Sequence, residues 1–248
     1  MNKSEKLQKV LAIAGIGSRR EMERWIEQGV IKVNGKVATI GDRVSAGDKL
    51  QCKGRLIKNP LARTFRRRVI LYYKPVGEVC SAKDEQGRKT VFDALPRLNK
   101  GRWIMVGRLD INTSGLLLFT NDGELANRLM HPSYEIEREY ASRILGEVEQ
   151  PIIDRLLAGV KLDDGMAKFD AIKFAGGEGA NSWYHVSLHE GRNREVRRLW
   201  ESQGLKVSRL TRIRYADLSL PRFLSRGEWQ ELKEDTVARL AQRVRLSD

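Results

Sequence analysis

The stretch GRLDINTSGLLLFTNDG, residues 107–123, places an acid, Asp110, just ahead of a strongly apolar segment. Residues 116–119 form an uninterrupted apolar run, which is typical of a strand buried on both faces. The polar residues 112–115 predict a turn before it. From spacing alone, an Asx turn in which the Asp110 side chain accepts backbone N–H groups is the favoured interpretation. The stretch therefore predicts a core strand with a carboxylate at its entrance, and the rest of the chain must decide whether that carboxylate is functional.

Composition limits the class of protein. The chain has 248 residues, of which 41% are hydrophobic, and carries 46 Lys and Arg against 32 Asp and Glu, a formal net charge of +14. This length suffices for one large or two smaller domains, and the charge favours a polyanionic partner, with nucleic acid first. No apolar run approaches the length of a membrane span, so no membrane partner is expected. The N-terminal segment lacks the apolar core of a secretory signal, which predicts a cytoplasmic protein.

The sequence offers no pattern for a metal or a cofactor. Cys52 and Cys80 are too few for a disulfide framework or a thiolate cluster. His185 and His189 are four residues apart, but they lie in a segment that alternates like a strand and lacks an HExxH pattern. Neither a dinucleotide-binding glycine motif nor a phosphate loop is present. We therefore expect no metal and no cofactor.

The first sixty residues predict a small module. Apolar residues recur at helical spacing from Leu7 to Ala14, and Ser18 with Glu21 forms a capping-box pattern that begins a second helix. Residues 30–44, VIKVNGKVATIGDRV, predict two strands joined by an Asn-Gly hairpin turn. The helix pair, the intervening SRR turn and the VNG hairpin resemble the S-four-type RNA-binding module. That resemblance implies recognition of folded RNA by backbone amides and basic side chains.

A second, larger domain follows. Residues 55–68 lose periodicity and end in three arginines, which predicts a basic linker, and we assign residues 1–60 to the first module, 61–68 to the linker and 69–248 to the second domain. Strand and helix patterns mix in the second domain without a strict βαβ repeat. We therefore predict an α+β fold on a largely antiparallel mixed sheet with a central cleft.

Four motifs in the second domain occur in the order and spacing of one enzyme family. They are YYKPVG at residues 72–77, GRLDINTSGLLLFTNDGELANRLMHP from Gly107, REY at residues 138–140, and VSLHEGRNREVRRLWE from Val186. Together they resemble the ribosomal RNA pseudouridine synthases that carry an N-terminal S-four-type module, and within that family they are most similar to the branch acting on the large ribosomal subunit. The resemblance implies a cofactor-independent isomerase that converts a specific uridine in ribosomal RNA, free or in a precursor particle, to pseudouridine.

The resemblance assigns the catalytic set to Asp110, Tyr140 and Arg197. Asp110 would act as nucleophile on the ribose or as base at its neighbouring carbon, and the sequence leaves both routes open. Arg197 would keep that carboxylate charged and aimed. Tyr140 would stack on the uracil or relay a proton, although its segment alone is also typical of a core aromatic residue. The target uridine would be extruded from its stack into the cleft.

Further residues are expected to bind the RNA. Substrate binding is assigned to Arg108, Lys74, Arg192, Arg194 and Val196, and Lys74 is expected mainly to shape the loop under the site. RNA binding outside the site is assigned to Lys9, Arg19, Arg20, Arg24, Arg66, Arg67 and Arg68. On the last motif, Arg194, Arg197 and Arg198 are spaced as one helical stripe, and the alternative for Arg194 and Arg198 is a surface ion-pair lattice with Glu195 and Glu201.

Two other classes fit less well. An RNA-binding assembly factor would share the charge and the first module, but it would not need Asp110, Tyr140 and Arg197 together. A base-specific methyltransferase would need a cofactor loop that the sequence lacks. The sequence therefore favours the isomerase, which we expect to act as a monomer.

Overall fold

Helices and strands follow one another irregularly along the chain in a computed structural model that describes residues 4–62, 66–98, 101–178 and 180–246. The elements up to residue 62 are β1 (Glu5–Lys6), α1 (Leu7–Ile13), α2 (Arg19–Glu27), β2 (Ile31–Val33), β3 (Lys36–Val37), β4 (Arg43–Val44), β5 (Leu50–Cys52), β6 (Arg55–Ile57) and a 3-10 turn (Pro60–Ala62). Those that follow are β7 (Val69–Lys74), β8 (Ile104–Val106), β9 (Ser114–Thr120), α3 (Gly123–Met130), a 3-10 turn (Pro132–Tyr134), β10 (Arg138–Leu145), α4 (Gln150–Ala158), β11 (Val160–Leu162), β12 (Gly165–Ala167), β13 (Ala171–Glu178), β14 (Asn181–Leu188), α5 (Glu195–Glu201), β15 (Lys206–Tyr215), β16 (Leu218–Ser219), β17 (Trp229–Glu231) and α6 (Glu234–Arg243).

One large sheet forms the centre of the second domain. Within the described residues its strand order is β13, β14, β10, β15, β9, β7 and β17, with β16 beside β15 and β8 beside β9. The pairings of β10 with β14 and β15, of β13 with β14 and of β7 with β17 are antiparallel, whereas β9 and β15 run parallel. The predicted α+β fold on a largely antiparallel mixed sheet is confirmed.

The apolar run at residues 116–119 lies in the buried strand β9 of this sheet. Every residue of β9 is buried, and residues 116–119 have no exposed surface. Phe119 meets the Tyr72 ring of β7 edge to face at 6.2 Å. A second apolar group surrounds Trp200 of α5, whose ring lies 5.7 Å from Phe169 and 5.5 Å from Tyr184. Both elements that carry candidate catalytic motifs are therefore anchored in the core.

Gly115 allows β9 to lie directly against β15. Its φ is +115°, and a β carbon there would lie 2.5 Å from the backbone nitrogen of Arg212 and closer still to its carbonyl oxygen. Real β carbons do not approach so closely, and this φ is rare for side-chain-bearing residues. The turn predicted before β9 is thus also the point where the parallel strand pair closes.

The two helices and the hairpin turn predicted for the first module are present in residues 4–60. The second predicted strand is wrong in its extent, because β3 covers only Lys36–Val37 and β4 pairs with β1 instead. Ser18 Oγ accepts the backbone N–H of Glu21 at 3.1 Å, and Glu21 Oε2 accepts that of Ser18 at 3.3 Å, which is the predicted capping box. Asn34 and Gly35 have φ values of 51° and 85°, as a tight hairpin turn between β2 and β3 requires. The core is formed by Leu7, Val10, Leu11, Met22, Ile26, Ile31, Ala38, Val44, Leu50 and Cys52.

The predicted linker is more ordered than its composition indicates. Arg55–Ile57 form β6, which pairs with β5, because cross-strand bonds supply the order that apolar periodicity does not. Arg67 Nε donates to Asp122 Oδ2 at 2.8 Å, and the Arg68 guanidinium lies 5.4 Å from the Trp103 ring centroid. Residues 63–65 of this segment lie outside the described residues. The expectation of an aperiodic segment is therefore wrong for residues 55–57, and the assignment of residues 61–68 as a linker stays a prediction.

The chain divides into two compact units by spatial proximity. One comprises residues 1–68, 96–104 and 120–123, and the other comprises residues 69–95, 105–119 and 124–248. Two short segments from beyond residue 68 thus group with the first module. The predicted division at residues 60 and 69 stays a prediction.

Candidate active site

Asp110 lies in the loop between β8 and β9, and the loop is closed by its backbone rather than by its carboxylate. The Asp110 carbonyl accepts the Thr113 N–H at 3.0 Å. Across the chain segments that the structure describes, the Asp110 carboxylate makes no hydrogen bond and no ion pair, and the residue is half-buried. The Asx-turn alternative is therefore wrong, since the side chain accepts none of the turn's amides. The carboxylate remains available for chemistry.

Lys74 holds this loop from below. Its side chain is fully buried at the end of β7, and the ammonium donates to the carbonyls of Pro75 and Thr113 at 2.9 Å each and is 3.5 Å from that of Ile111. Burial lowers the pKa of Lys74, while nearby acidic groups, Asp110 among them, oppose that shift. With its donors directed at these carbonyls, Lys74 shapes the loop. This geometry supports the loop-shaping role and not direct substrate contact.

Arg197 fixes the same loop from the other side. It is buried in the first turn of α5, where Nη2 donates to the Asn112 carbonyl at 3.0 Å and Nη1 to the Val207 carbonyl at 2.8 Å. Burial lowers the pKa of Arg197, and the charge of Asp110 acts in the opposite direction. Within the described residues no carboxylate lies within 4 Å of this guanidinium. Arg197 therefore aims the loop that carries Asp110, and it influences the carboxylate by charge without forming an ion pair.

A cavity of about 1040 Å³ opens beside the loop. Of the residues singled out by sequence, its wall includes Asp110, Tyr140, Arg108, Arg192, Arg194 and Val196. Lys74 and Arg197 stand behind the wall rather than in it. The volume lies at the upper end of the range for small-ligand sites, which is enough to admit one extruded nucleotide. The structure thus brings the expected acid, aromatic residue and basic residues to one place.

Tyr140 contributes aromatic surface to the cavity wall. It is 9% exposed on β10, and its register partner on β15 is Arg212. A register shift between Glu139 and Tyr140 interrupts the pairing immediately before it. The Tyr140 hydroxyl makes no hydrogen bond in the parts of the chain that are described. The alternative of a core tyrosine whose hydroxyl is satisfied locally is therefore not supported.

The basic residues of the last motif have mixed environments. Arg194 precedes α5 in a left-handed conformation with φ of 50°, so the predicted stripe of Arg194, Arg197 and Arg198 is wrong at its first position. Arg194 Nη2 lies 3.1 Å from Glu201, whereas Arg198 pairs with Asp164 at 2.8 Å. Arg192 pairs with Glu190 at 2.5 Å. The ion-pair alternative thus applies to Arg194 and Arg198, although Arg198 takes a different partner from those expected.

The other basic residues assigned to RNA binding differ in their exposure and in their contacts within the protein. Arg108 is exposed at the cavity rim, and Arg19, Arg20 and Arg24 are exposed on α2. Lys9 is half-buried and pairs with Glu5 at 3.0 Å, and Arg66 is exposed. Arg67 contacts Asp122 and Arg68 contacts Trp103, as given for the linker. Of the basic residues assigned to the first module, the α2 arginines are thus exposed, whereas Lys9 is half-buried and paired.

Sequence reasoning missed Arg138, Arg212 and Tyr215, which also line the cavity. Arg138 and Arg212 are 9% and 2% exposed. A signal for Arg138 was present, because it shares the inward phase of β10 with Tyr140 and Ser142. Charged residues at inward positions of an alternating strand are uncommon and point to a site.

No helix in the described ranges is long and apolar enough to cross a membrane. Those ranges also contain no group of three or more His, Cys, Asp or Glu side chains arranged to hold a metal ion.

Comparison with known proteins places this geometry in a family. Residues 68–202 match the family model described as RNA pseudouridylate synthase, and residues 5–50 match the S4 domain. A protein from Pasteurella multocida named ribosomal large subunit pseudouridine synthase B is 59% identical over 98% of this chain and 71% of its own length. A protein of the same name from Salmonella typhi is 60% identical over 92% of this chain and 79% of its own.

A solved structure supports the same assignment. The fold is similar to a crystal structure of pseudouridylate synthase with a TM-score of 0.65 and 26% identity, covering 95% of this chain and 99% of that one. The motifs, the fold and the relatives agree over almost the whole sequence. The chain therefore belongs to the RNA pseudouridylate synthase family, whose members act on RNA, and it carries an N-terminal S4 domain.

Proposed function

We propose that this protein converts a specific uridine of large-subunit ribosomal RNA to pseudouridine, with Asp110 as the catalytic residue. The observation that carries the proposal is the Asp110 carboxylate, which stands at the wall of a nucleotide-sized cavity without a protein partner in the described residues. The names of the relatives at 59% and 60% identity supply the substrate.

The isomerisation needs no added atom and no redox step. The C1′–N1 bond of the uridine breaks, the uracil turns in place, and a C1′–C5 bond forms. Asp110 either attacks C1′ and is later displaced, or removes a proton from C2′ and later returns it. In both routes the proton on C5 finally moves to N1. Exclusion of bulk water once the RNA covers the cavity would keep the detached uracil in position until it reattaches.

Other residues would prepare this step. Tyr140 offers a ring face against which the uracil stacks. Its hydroxyl, which has no hydrogen-bond partner among the described residues, is suited to the proton movement from C5. Arg197 and Lys74 hold the loop that presents Asp110, from two sides. Because a uridine in folded RNA is stacked, it must be extruded before it enters the cavity. Arg108, Arg192 and Arg194 at the cavity wall would contact the nucleotide or its flanking phosphates.

We further propose that the S4 domain supplies affinity and not chemistry. Arg19, Arg20 and Arg24 are exposed on α2, so they are available to RNA phosphates. Neutralising all three should weaken RNA binding and flatten the plot of log affinity against log salt by about 0.7 to 0.9 for each phosphate that they neutralise in the wild-type complex. An unchanged slope would mean that α2 faces something other than the substrate. Arg239→Gln on α6 serves as the control.

The partner would be large-subunit ribosomal RNA, free or in a precursor particle, which keeps the protein in the cytoplasm. We also propose that it acts as a monomer. Pseudouridine mapping of ribosomal RNA from cells with and without this protein tests the proposal. One or more large-subunit positions should lose the modification in cells lacking the protein. An unchanged map would contradict the proposed function.

A further inference from the structure

Two buried guanidinium groups in the cavity wall have no acidic partner. Arg138 and Arg212 are 9% and 2% exposed, and within the described residues no carboxylate lies within ion-pair distance of either. Burying a cation is costly unless an anion or several acceptors compensate for its lost hydration. The compensation available to each arginine therefore indicates what it does.

Arg138 is compensated by the protein itself. Its Nη1 donates to the carbonyls of His189 and Glu190, the second at 2.9 Å, and its guanidinium carbon lies 5.4 Å from the centre of the Tyr215 ring. Burial raises the pKa of Tyr215, so the ring stays neutral and presents an electron-rich face to the cation. Arg138 has a structural role in the wall.

Arg212 is compensated only in part. Its Nε donates to the Leu116 carbonyl at 2.7 Å, and its guanidinium carbon lies 5.0 Å from the Tyr215 ring centre. Its Nη2 is fully enclosed and has no hydrogen-bond partner among the residues that the structure describes. The guanidinium is thus held in a fixed orientation by one carbonyl and one ring, while donors at its end remain unused.

The position of Arg212 directs those donors toward the substrate. In the sheet register Arg212 lies between Tyr140 on β10 and Gly115 on β9. Arg212 and Asp110 both line the wall of the same cavity. A uracil stacked on Tyr140 would therefore lie next to Arg212.

We propose that Arg212 is a further catalytic residue that hydrogen-bonds a carbonyl oxygen of the uracil and stabilises the uracil anion. The inference rests on the proposed function. When the C1′–N1 bond breaks, its electron pair leaves with the uracil and spreads to O2 and O4, while the ribose is held as an ester of Asp110 or as a C1′–C2′ alkene. A guanidinium donor already in position strengthens its bond as that charge develops. When C5 reattaches to C1′, the charge disappears and the bond weakens again.

An RNA phosphate is the other anion that an arginine could meet. The phosphates of an extruded nucleotide stay with the backbone at the cavity mouth, whereas the base enters. Arg212, at 2% exposed, lies with the buried part of the wall. The base is therefore the part of the substrate that it reaches.

Leaving-group dependence tests the inference. The test compares three proteins: the wild type, Arg212→Gln, and the control Arg209→Gln, which changes an exposed residue of the same strand. Each is given an RNA that carries either uridine or 5-fluorouridine at the mapped target position. Loss of the target nucleoside is followed in single-turnover reactions by nuclease digestion and mass spectrometry. Fluorine stabilises the departing anion, so a 5-fluorouracil needs less help to leave. RNA affinity and thermal melting are measured for each protein.

Arg212→Gln should slow the uridine reaction by about 100-fold, as loss of one preorganised donor does. It should slow the 5-fluorouridine reaction by less than about 10-fold, and Arg209→Gln should leave both rates within a factor of about two, since surface changes away from a site have small effects. Equal slowing of both substrates at native melting temperature and affinity would overturn the proposal in favour of a structural role. Loss of affinity with a flatter salt dependence and unchanged bound-state rates would overturn it in favour of a phosphate contact.

If Arg212→Gln melts early, Arg212→Lys provides the same comparison with the charge retained. It should show a smaller loss with uridine and, again, a smaller loss with 5-fluorouridine, and equal losses would contradict the inference. A wild-type protein that leaves the target uridine unchanged would instead contradict the proposed function.

Discussion

Replacing Arg197 tests how the Asp110 loop is held. Its guanidinium joins two carbonyls, Val207 at 2.8 Å and Asn112 at 3.0 Å, and the second belongs to the loop. A lysine at this position keeps the charge but cannot hold both carbonyls with fork geometry. A hydrogen bond from a charged donor contributes about 1.5–3 kcal/mol, so Arg197→Lys, losing one, should slow the reaction by about 10- to 150-fold.

The assay is single-turnover pseudouridine formation over a range of protein concentrations. Because Arg197 is not in the cavity wall, the loss should fall on the rate at saturation, and RNA affinity should be nearly unchanged. Arg197→Ala should lose more activity and some stability, because it leaves both carbonyls without their donor. The matched control is Arg198→Lys on the same helix, whose guanidinium pairs with the exposed Asp164. Wild-type turnover by Arg197→Lys, or an equal loss in Arg198→Lys, would show that Arg197 does not position the loop.

Three further changes test separate parts of the structure. Tyr140→Phe keeps the ring and removes the hydroxyl, so full activity in single-turnover reactions would eliminate a proton-transfer role, and a loss with unchanged affinity would support it. Gly115→Ala should lower the free energy of unfolding in urea by at least about 2 kcal/mol, because its β carbon would overlap the backbone of β15. Gly77→Ala, with φ of +96° but open space around it, should cost only about 1 kcal/mol from backbone strain, and equal costs would contradict the overlap. The buried Tyr72 hydroxyl donates to Glu78 at 2.5 Å, and burial raises the pKa of Tyr72. Above about pH 10 the unfolded chain loses the Tyr72 hydroxyl proton while the folded chain keeps it, so the free energy of unfolding should fall as the pH rises. Tyr72→Phe should reduce the slope of unfolding free energy against pH by up to about 1.4 kcal/mol per pH unit.

The features that the sequence predicts well are those determined by neighbouring residues. The apolar side chains of residues 116–119 are stable only when they are buried in a core. Ser18 and Glu21 accept each other's backbone N–H groups at the start of α2, so this helix start depends only on neighbouring residues. The order of the motifs that contain Asp110 and Tyr140 predicts that these two residues share a site, and both line one cavity. In each case the determining contacts are local or belong to a pattern with known spacing.

What the sequence did not predict depends on contacts between distant segments. Arg212 lines the cavity only because β15 pairs with β9 and β10. The register of those strand pairs cannot be derived from the sequence of one strand alone. Arg67 hydrogen-bonds Asp122, which is 55 residues away in the sequence, so Arg67 is held by the folded structure. Arg194 adopts a left-handed backbone that few signals predict for a residue other than glycine or asparagine.

Asp110→Asn separates catalysis by the carboxylate from every structural role of the loop. The amide keeps the size of the side chain and removes its charge, and since the carboxylate makes no hydrogen bond in the described structure, the fold should not depend on it. The variant and the control Asp163→Asn, an exposed acid elsewhere, are incubated with large-subunit ribosomal RNA from cells lacking this protein, and pseudouridine is mapped. Asp110→Asn should melt and bind RNA like the wild type and form no pseudouridine, while the control is fully active. Turnover by Asp110→Asn close to that of the wild type would contradict the catalytic role of Asp110.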